Sequence, residues 1–344
     1  MADGSAMPPD LTRSPTEAPA LEASGLTVRF RHRGAEFAAV SDVSFSLRRR
    51  ETLTILGESG SGKSVTLKAL LGLLPAHATV TGSVKLAGRS ILGLPTSDLA
   101  RLRGRRISMV FQEPITALDP VYTIGAQIVE TIIQHEGTDE RTARARARAL
   151  LERVRIPAAE RRLNNYPHEM SGGMRQRAMI ALALACSPDV LLADEPTTAL
   201  DVTVQIQILL LLRQLQQELG MAIVFVTHDV GVAAEISDRV AVMYAGRFVE
   251  TGSAREVILA PQHPYTTGLL ECAVHGGRRG SVLHAIPGAP PDLAALPVGC
   301  AFAPRCHLVG DPCLHKDPPA ITHPNGRMIR CVREAVWLAE SGTL

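Results

Sequence analysis

An apolar strand that runs straight into a glycine-rich bend is the strongest constraint on this chain. Residues 52–56 are followed by Gly57-Glu58-Ser59-Gly60-Ser61-Gly62-Lys63-Ser64, and the apolar spacing over 63–74 is helical. The pattern G-x-x-x-x-G-K-[ST] between a strand and a helix has a direct physical use. Glycines let consecutive backbone N–H groups curl inward around an anion. The helix that follows adds the positive end of its dipole. The lysine reaches outer phosphates as a point charge, and the hydroxyl after it can ligate Mg²⁺. Gly57, Ser59, Gly60, Ser61, Gly62, Lys63, Ser64 and Val65 are the expected phosphate-binding residues.

A second apolar strand, Val190-Leu191-Leu192-Ala193, ends in the adjacent carboxylates Asp194 and Glu195. Ligands of open α/β sheets bind beyond the carboxyl ends of the strands. Asp194 suits Mg²⁺, directly or through water. Glu195, one residue on, points elsewhere and can polarise an attacking water. Ser171-Gly172-Gly173 opens a helix, with Ser171 as N-cap and two glycines that permit close backbone approach. Strands are expected near 24–31, 40–47, 107–111, 190–193 and 222–227, with an antiparallel pair at 239–244 and 247–251. From 171 onward strands alternate with helices, which implies a parallel sheet with helices on its faces. The middle section to about 170 reads as mostly helical. Its clearest helix, 141–155, sets a solvated arginine face over a seam of Leu150, Leu151 and Val154.

With 344 residues and 46% hydrophobic composition, the chain can bury one large core or two smaller ones. Its 36 basic residues against 34 acidic ones leave no nucleic-acid footprint. No run of membrane-spanning length is free of charge and proline, so the chain is not expected to cross a bilayer by itself. Residues 1–22 read as a disordered tail rather than a secretory signal. A reducing compartment is then expected, which bears on the six cysteines. Cys186 and Cys272 stand alone. Cys300, Cys306, Cys313 and Cys331 crowd a proline-dense segment after about 259, spaced C-x5-C-x6-C-x17-C. Four thiolates in a segment with little core suggest a metal centre in place of a hydrophobic interior. Zinc usually takes a closer cysteine pair, although His307 and His315 could join it. Four cysteines also suit an iron–sulfur cluster. On the residues alone, cluster, zinc and no metal all stay open.

The glycine bend, Gln112 after an apolar strand, Ser171-Gly172-Gly173, Asp194-Glu195-Pro196, Ala199-Leu200-Asp201 and His228 occur in one order. That order resembles the ATPase subunit of ABC transporters over roughly 26–256. The resemblance implies an α/β fold, a P-loop NTPase of the ABC type with a mixed sheet core, an antiparallel β part and a helical subdomain at about 113–170, all within 23–258. It implies ATP and Mg²⁺ as ligands, with Lys63 and Ser64 in the Walker A site and Asp194 as the Walker B aspartate. Ser64, Gln112 and Asp194 are the implied Mg²⁺ residues. Glu195 resembles the catalytic glutamate, Gln112 the Q-loop glutamine and His228 the switch histidine against the γ-phosphate. Ser171, Gly172 and Gly173 resemble the signature that closes on ATP bound by another subunit, which Asp201 also contacts. Phe30 stands where this superfamily stacks an aromatic ring on adenine, and Phe37 is a competitor. Met170 and Met174 depart from the usual signature residues. Met170 is a mild swap for a packed apolar residue, while Met174 removes a polar side chain and leaves Ser-Gly-Gly intact.

The segment Gln262-His263-Pro264-Tyr265-Thr266, with Leu269-Leu270, is similar to the tail of ATPases serving peptide and nickel importers. Tyr166-Pro167-His168-Glu169 and residues 194–203 fit the same group. This narrower resemblance implies a small loop-rich, cysteine-containing C-terminal domain at 259–344. Some members carry a four-iron four-sulfur cluster at matching cysteines, so a [4Fe-4S] cluster is implied at Cys300, Cys306, Cys313 and Cys331, with Zn²⁺ as the alternative. The implied function is ATP-driven uptake of di- or oligopeptides, or of nickel or another small solute, by a peripheral subunit on the cytoplasmic face of the inner membrane. The implied partners are a second ABC ATPase, two transmembrane permease subunits and an extracytoplasmic substrate-binding protein, with no nucleic acid. A non-transport ABC ATPase acting on ribosomes or DNA is the competing function. Such proteins usually carry two motif sets or a long coiled-coil insertion, and a single set is present here.

Overall fold

The computed structural model describes residues 18–32, 35–198, 200–274 and 285–333. Most of the expected tail lies outside them, but Leu21 and Glu22 already belong to the first strand. Strands β1 (Leu21–His32) and β2 (Ala35–Leu47) pair antiparallel. Their two-residue alternation buries Val28, Val43, Phe45 and Leu47 while Arg29, Ser44 and Ser46 face solvent. Strand β3 (Thr52–Leu56) is buried at every residue, as a central parallel strand covered on both faces must be. Helix α1 (Lys63–Leu70) follows the bend. Strands β4 (Ala78–Leu86) and β5 (Arg89–Ser90) complete an antiparallel sheet in the order β2-β1-β4-β5.

Helix α2 (Thr96–Leu102) leads to β6 (Ile107–Val110) and then to the helical stretch. This comprises α3 (Pro114–Ala117), α4 (Ile124–Glu136), α5 (Glu140–Arg153), α6 (Ala159–Arg162) and α7 (Gly172–Ala183). Thr123 and Asp139 cap α4 and α5, and Gly137 ends α4 in a left-handed conformation. On α5 the fully buried seam is Ala143, Ala147 and Leu151, with Val154 just beyond. Leu150, expected in that seam, is half-buried. The difference follows from crowding: small alanines four residues apart let α5 approach its neighbours closely. The arginines face outward as expected, with Arg146 paired to Glu136 and Arg148 to Glu152.

Strand β7 (Val190–Asp194), helix α8 (Val202–Leu219), strand β8 (Ala222–Thr227), helix α9 (Val230–Ile236) and strands β9 (Arg239–Tyr244) and β10 (Arg247–Ser253) follow. Beyond them come α10 (Ala254–Leu259), α11 (Pro264–Val274), α12 (Asp311–His315), β11 (Ile321–Thr322) and β12 (Met328–Ile329). The main sheet runs β11-β12-β10-β9-β3-β8-β7-β6. Strands β9, β3, β8, β7 and β6 are parallel, and β10, β12 and β11 join antiparallel. The mixed sheet, the separate antiparallel sheet and the helical region match the expected architecture. No described helix is long and apolar enough to cross a membrane.

The segment after 259 is built onto this body. Glu250 of β10 is fully buried and accepts hydrogen bonds from the N–H groups of Gln262 and His263, each at 3.0 Å, and from the Arg327 guanidinium. Leu56, Val240, Val242 and Tyr244 share one core with Tyr265, Leu270 and Phe302. The Tyr244 and Tyr265 rings lie 4.5 Å apart and those of Tyr265 and Phe302 5.4 Å. The boundary expected near 259 therefore marks a change of composition, but the core runs across it.

Candidate active site

Parallel pairing brings four strand ends to one edge. Leu56 is in register with Thr227, Asp194 with Val226, and Val110 with Ala193. Gly57, Glu195, His228 and Gln112 consequently emerge along the same side of the sheet, where α/β sheets take ligands.

The bend is wedged tightly at two glycines. A Cβ on Gly62, whose φ is +105°, would lie 2.6 Å from the Ala39 carbonyl oxygen. One on Gly57 would lie 2.3 Å from that of Met243. The Lys63 ammonium, almost wholly buried, donates to the carbonyls of Gly57 and Glu58, both at 2.8 Å, and stands 3.9 Å from the Glu195 carboxylate. Burial pushes its pKa down, and the carboxylates of Glu195, Asp194 and Glu58 oppose that shift. The Ser64 hydroxyl donates to Asp194 Oδ1 at 2.8 Å. Burial raises the Asp194 pKa, and this hydrogen bond partly offsets it. The pair offers two hard oxygen donors, a set that suits Mg²⁺. The buried Ser61 hydroxyl has no hydrogen-bond partner among the described residues, which leaves a donor at the bend for an anionic ligand.

Glu195 has φ +44°, a left-handed turn that carries its side chain away from the line of β7. Its Oε2 accepts from the Thr198 hydroxyl at 2.9 Å and lies 3.0 Å from His228 Nδ1. A carboxylate so held can take a proton from water, and the imidazole beside it can fix its orientation.

One cleft is lined by Ser59, Gly60, Gly62, Lys63, Ser64, Val65, Gln112, Glu195 and His228. Gly57, Ser61 and Asp194 sit buried behind that surface. Sequence reasoning missed Thr198, and also Leu269, Pro290 and Leu293, which line the cleft from beyond 259. No local pattern marks those three. Ser171, Gly172, Gly173 and Asp201 do not line it. Ser171 is exposed and caps α7 through the Met174 N–H at 3.4 Å, and Asp201 caps α8 through the Val204 N–H at 2.9 Å. Met170 is buried, as a packed apolar residue should be. Ala199 lies outside the described residues. Phe30 packs on Phe37 across the β1–β2 ladder, ring centroids 6.0 Å apart, and on His77 at 5.9 Å. Neither phenylalanine lines the cleft.

Cys300, Cys306, Cys313 and Cys331 all face one small apolar cavity, together with His263, Phe302, Leu308 and Pro318. None of the four cysteines is joined in a disulfide. Burial pushes the Cys300 pKa up to about 11 and raises that of Cys306. Among the described residues no group of three His, Cys, Asp or Glu side chains is gathered to hold a metal ion. The expected zinc or iron–sulfur ligand shell is therefore not preformed, because the thiols are spread around an apolar wall. His307 and His315, the candidates for a zinc site, do not line the cavity, and His315 bonds to Asp311 at 3.2 Å.

Comparison with known proteins agrees with this geometry. Residues 40–198 match the family described as "ABC transporter", and residues 249–313 match "Oligopeptide/dipeptide transporter, C-terminal region". A protein of Brucella melitensis biotype 1, provisionally named a peptide import ATP-binding protein, is 50% identical over 328 residues, 92% of this chain and 97% of that protein. The oligopeptide transport ATP-binding protein OppD of Salmonella typhimurium is 46% identical over 328 residues, 94% of this chain and 98% of OppD. The solved dimer of the ATP-binding cassette MJ0796, in a post-hydrolysis state bound to ADP and Pi, superimposes with a TM-score of 0.62 at 30% identity, covering 68% of this chain and 99% of that one. Relatives this similar over nearly the whole length, with Lys63, Ser64, Asp194, Glu195 and His228 gathered at one sheet edge, leave a single conclusion: the chain belongs to the ABC transporter ATPases, in the group that carries the oligopeptide/dipeptide transporter C-terminal region.

Proposed function

We propose that this ATPase energises import of di- or oligopeptides, acting as a peripheral subunit on the cytoplasmic face of the inner membrane. The observation that carries the reading is the convergence of Lys63, Ser64, Glu195 and His228 on one cleft, in a chain whose relatives at 46–50% identity are named for peptide transport. Nickel or another small solute is the alternative cargo. The partners are a second ABC ATPase, two transmembrane permease subunits and an extracytoplasmic substrate-binding protein.

Lys63 and the N–H groups of the bend take the triphosphate. Ser64 and Asp194 would hold Mg²⁺, with Gln112 at the cleft wall, and the ion when bound supplies charge neutralisation on the phosphates. Glu195 accepts the proton of the attacking water, and Thr198 and His228 keep its carboxylate aligned. Ser171, Gly172 and Gly173 complete the site of a facing subunit, with Asp201 at the contact. That none of them lines the cleft of their own chain supports a site shared between two subunits. Phe30, with Phe37 as the alternative, is the adenine platform, carried on strands whose Ala39 lines the cleft.

Cys300, Cys306, Cys313 and Cys331 are the proposed ligands of a [4Fe-4S] cluster. Four cysteines without a disulfide border one apolar cavity, which supports this donor set, and loading would release their protons. Protein purified without air should then be brown and contain iron and sulfide, and colourless, iron-free protein would remove the cluster.

The whole transporter in proteoliposomes tests the function. ATP-dependent uptake of a labelled tripeptide is expected, with loss on Glu195→Gln. Uptake of nickel but not peptide would reassign the cargo. Hydrolysis that ignores the permeases and responds to ribosomes or DNA would favour the non-transport reading.

A further inference from the structure

We propose that Arg305 and Tyr265, both from the C-terminal extension, are positioning residues for the phosphate-binding bend, holding Glu58 so that its charge does not oppose the triphosphate. The proposal rests on the reading of the bend as an ATP site and adds to it a part that lies outside the nucleotide-binding motifs.

Glu58 is the second residue of the bend and lines the cleft. A carboxylate at the mouth of a partly desolvated anion site repels the ligand unless it is neutralised. Arg305 supplies the counter-charge from 247 residues away in sequence: Nη1 lies 2.7 Å from Glu58 Oε2 and Nη2 3.0 Å from Oε1. This parallel fork fixes the direction of the carboxylate as well as its charge, which an ammonium could not do. The guanidinium is itself fixed. It is 6% exposed, its Nε donates to the Pro287 carbonyl at 2.8 Å, and it lies 5.9 Å from the Tyr244 ring centroid.

Tyr265 holds the same residue by its backbone. The Glu58 N–H donates to the fully buried Tyr265 hydroxyl at 3.0 Å, and the Glu58 carbonyl accepts from Lys63 at 2.8 Å. Every polar group of Glu58 is thus assigned, the carboxylate and N–H to the extension and the carbonyl to the phosphate-binding lysine. Leu269, Pro290 and Leu293 bring the extension to the cleft wall independently of this contact. The segment after 259 is therefore part of the nucleotide site.

The test titrates the full-length chain with the fluorescent analogue mant-ATP and Mg²⁺, and measures ATP KM and kcat in the assembled transporter. Arg305→Met should weaken mant-ATP binding about tenfold, the scale of one charge-assisted hydrogen bond, with KM rising far more than kcat falls. The double variant E58Q/R305M should recover most of the affinity, because no unpaired carboxylate remains. Arg305→Lys should recover only part. Tyr265→Phe should cost about threefold. Wild-type affinity in R305M, or a double variant as weak as R305M, would overturn the proposal. Should R305M not fold, the swap E58R/R305E decides: near-wild-type binding supports the positioning role, and a folded swap that binds tenfold weaker refutes it. Wild-type protein that bound no mant-ATP would bring down the ATP reading and this proposal together, whereas normal wild-type binding with an unaffected R305M removes the proposal alone.

Discussion

In the cleft, Ser64 meets Asp194 at 2.8 Å and Glu195 meets His228 at 3.0 Å, while the four cysteines surround an apolar cavity without gathering into a ligand set. The difference lies in what carries each group. Asp194 ends a strand, and Lys63, Glu195 and His228 each follow one whose register is fixed by hydrogen-bonded neighbours, so their relative positions are fixed before side chains are considered. Cys306 and Cys313 sit on a 3-10 turn end and a five-residue helix, in a segment with few ladders of its own. A sheet edge prepares electrostatics, whereas a loop-rich cavity leaves its final geometry to whatever it binds.

The largest effect that can break this contrast is at Glu195. Glu195→Gln should lower hydrolysis in the assembled transporter about 10³-fold while ATP stays bound, as filter retention of labelled nucleotide would show. A loss below about tenfold would mean that the cleft is not arranged for proton transfer through this carboxylate.

Next comes the joint between the two regions. Glu250→Ala strips the buried partner from Arg327 and the acceptor from two backbone N–H groups. Equilibrium urea unfolding should show a cost of about 3–5 kcal/mol, and a cost near zero would detach the extension from the stability of the sheet.

A smaller effect sharpens the description of the cysteine side. His263 borders that cavity, and its ring accepts from the Tyr265 N–H at 3.1 Å. Burial lowers its pKa from 6.5 to about 4. Because the folded value lies below the unfolded one, the neutral ring stabilises the fold fully above about pH 6.5. That contribution, at most about 3 kcal/mol, is lost as pH falls toward 4. Unfolding of wild type and His263→Gln, compared near neutral pH and at about pH 5, should show the larger acid loss in wild type. Equal losses would mean that the ring titrates freely.

The smallest effect concerns the signature. Met174→Gln should change turnover by less than about twofold, since the Ser171 cap remains and the residue is half-buried against the helical core. A tenfold gain would show that the missing polar side chain matters.

The nucleotide motifs were legible because each is local: strand, bend and helix, or strand and two acids, lie within ten or so residues and their period names the fold around them. The helical seam of α5 was half legible, since large leucines draw attention while Ala143 and Ala147 do the closest packing. Arg305 was not legible at all. It stands between Cys300 and Cys306 with no apolar or charge pattern to mark it, and its partner is fixed only once β10 and β12 bring the extension against the sheet. Tyr265 lies in the segment 262–266, yet the order of residues does not reveal that its hydroxyl meets Glu58.

Strands β3 and β7 are not neighbours, because β8 runs between them. The 2.8 Å contact from Ser64 to Asp194 therefore straddles a whole strand. It works as a strain gauge: shear or a change of twist across these three strands would alter the spacing of the two oxygens, and with it the grip on magnesium if the pair holds the ion as proposed.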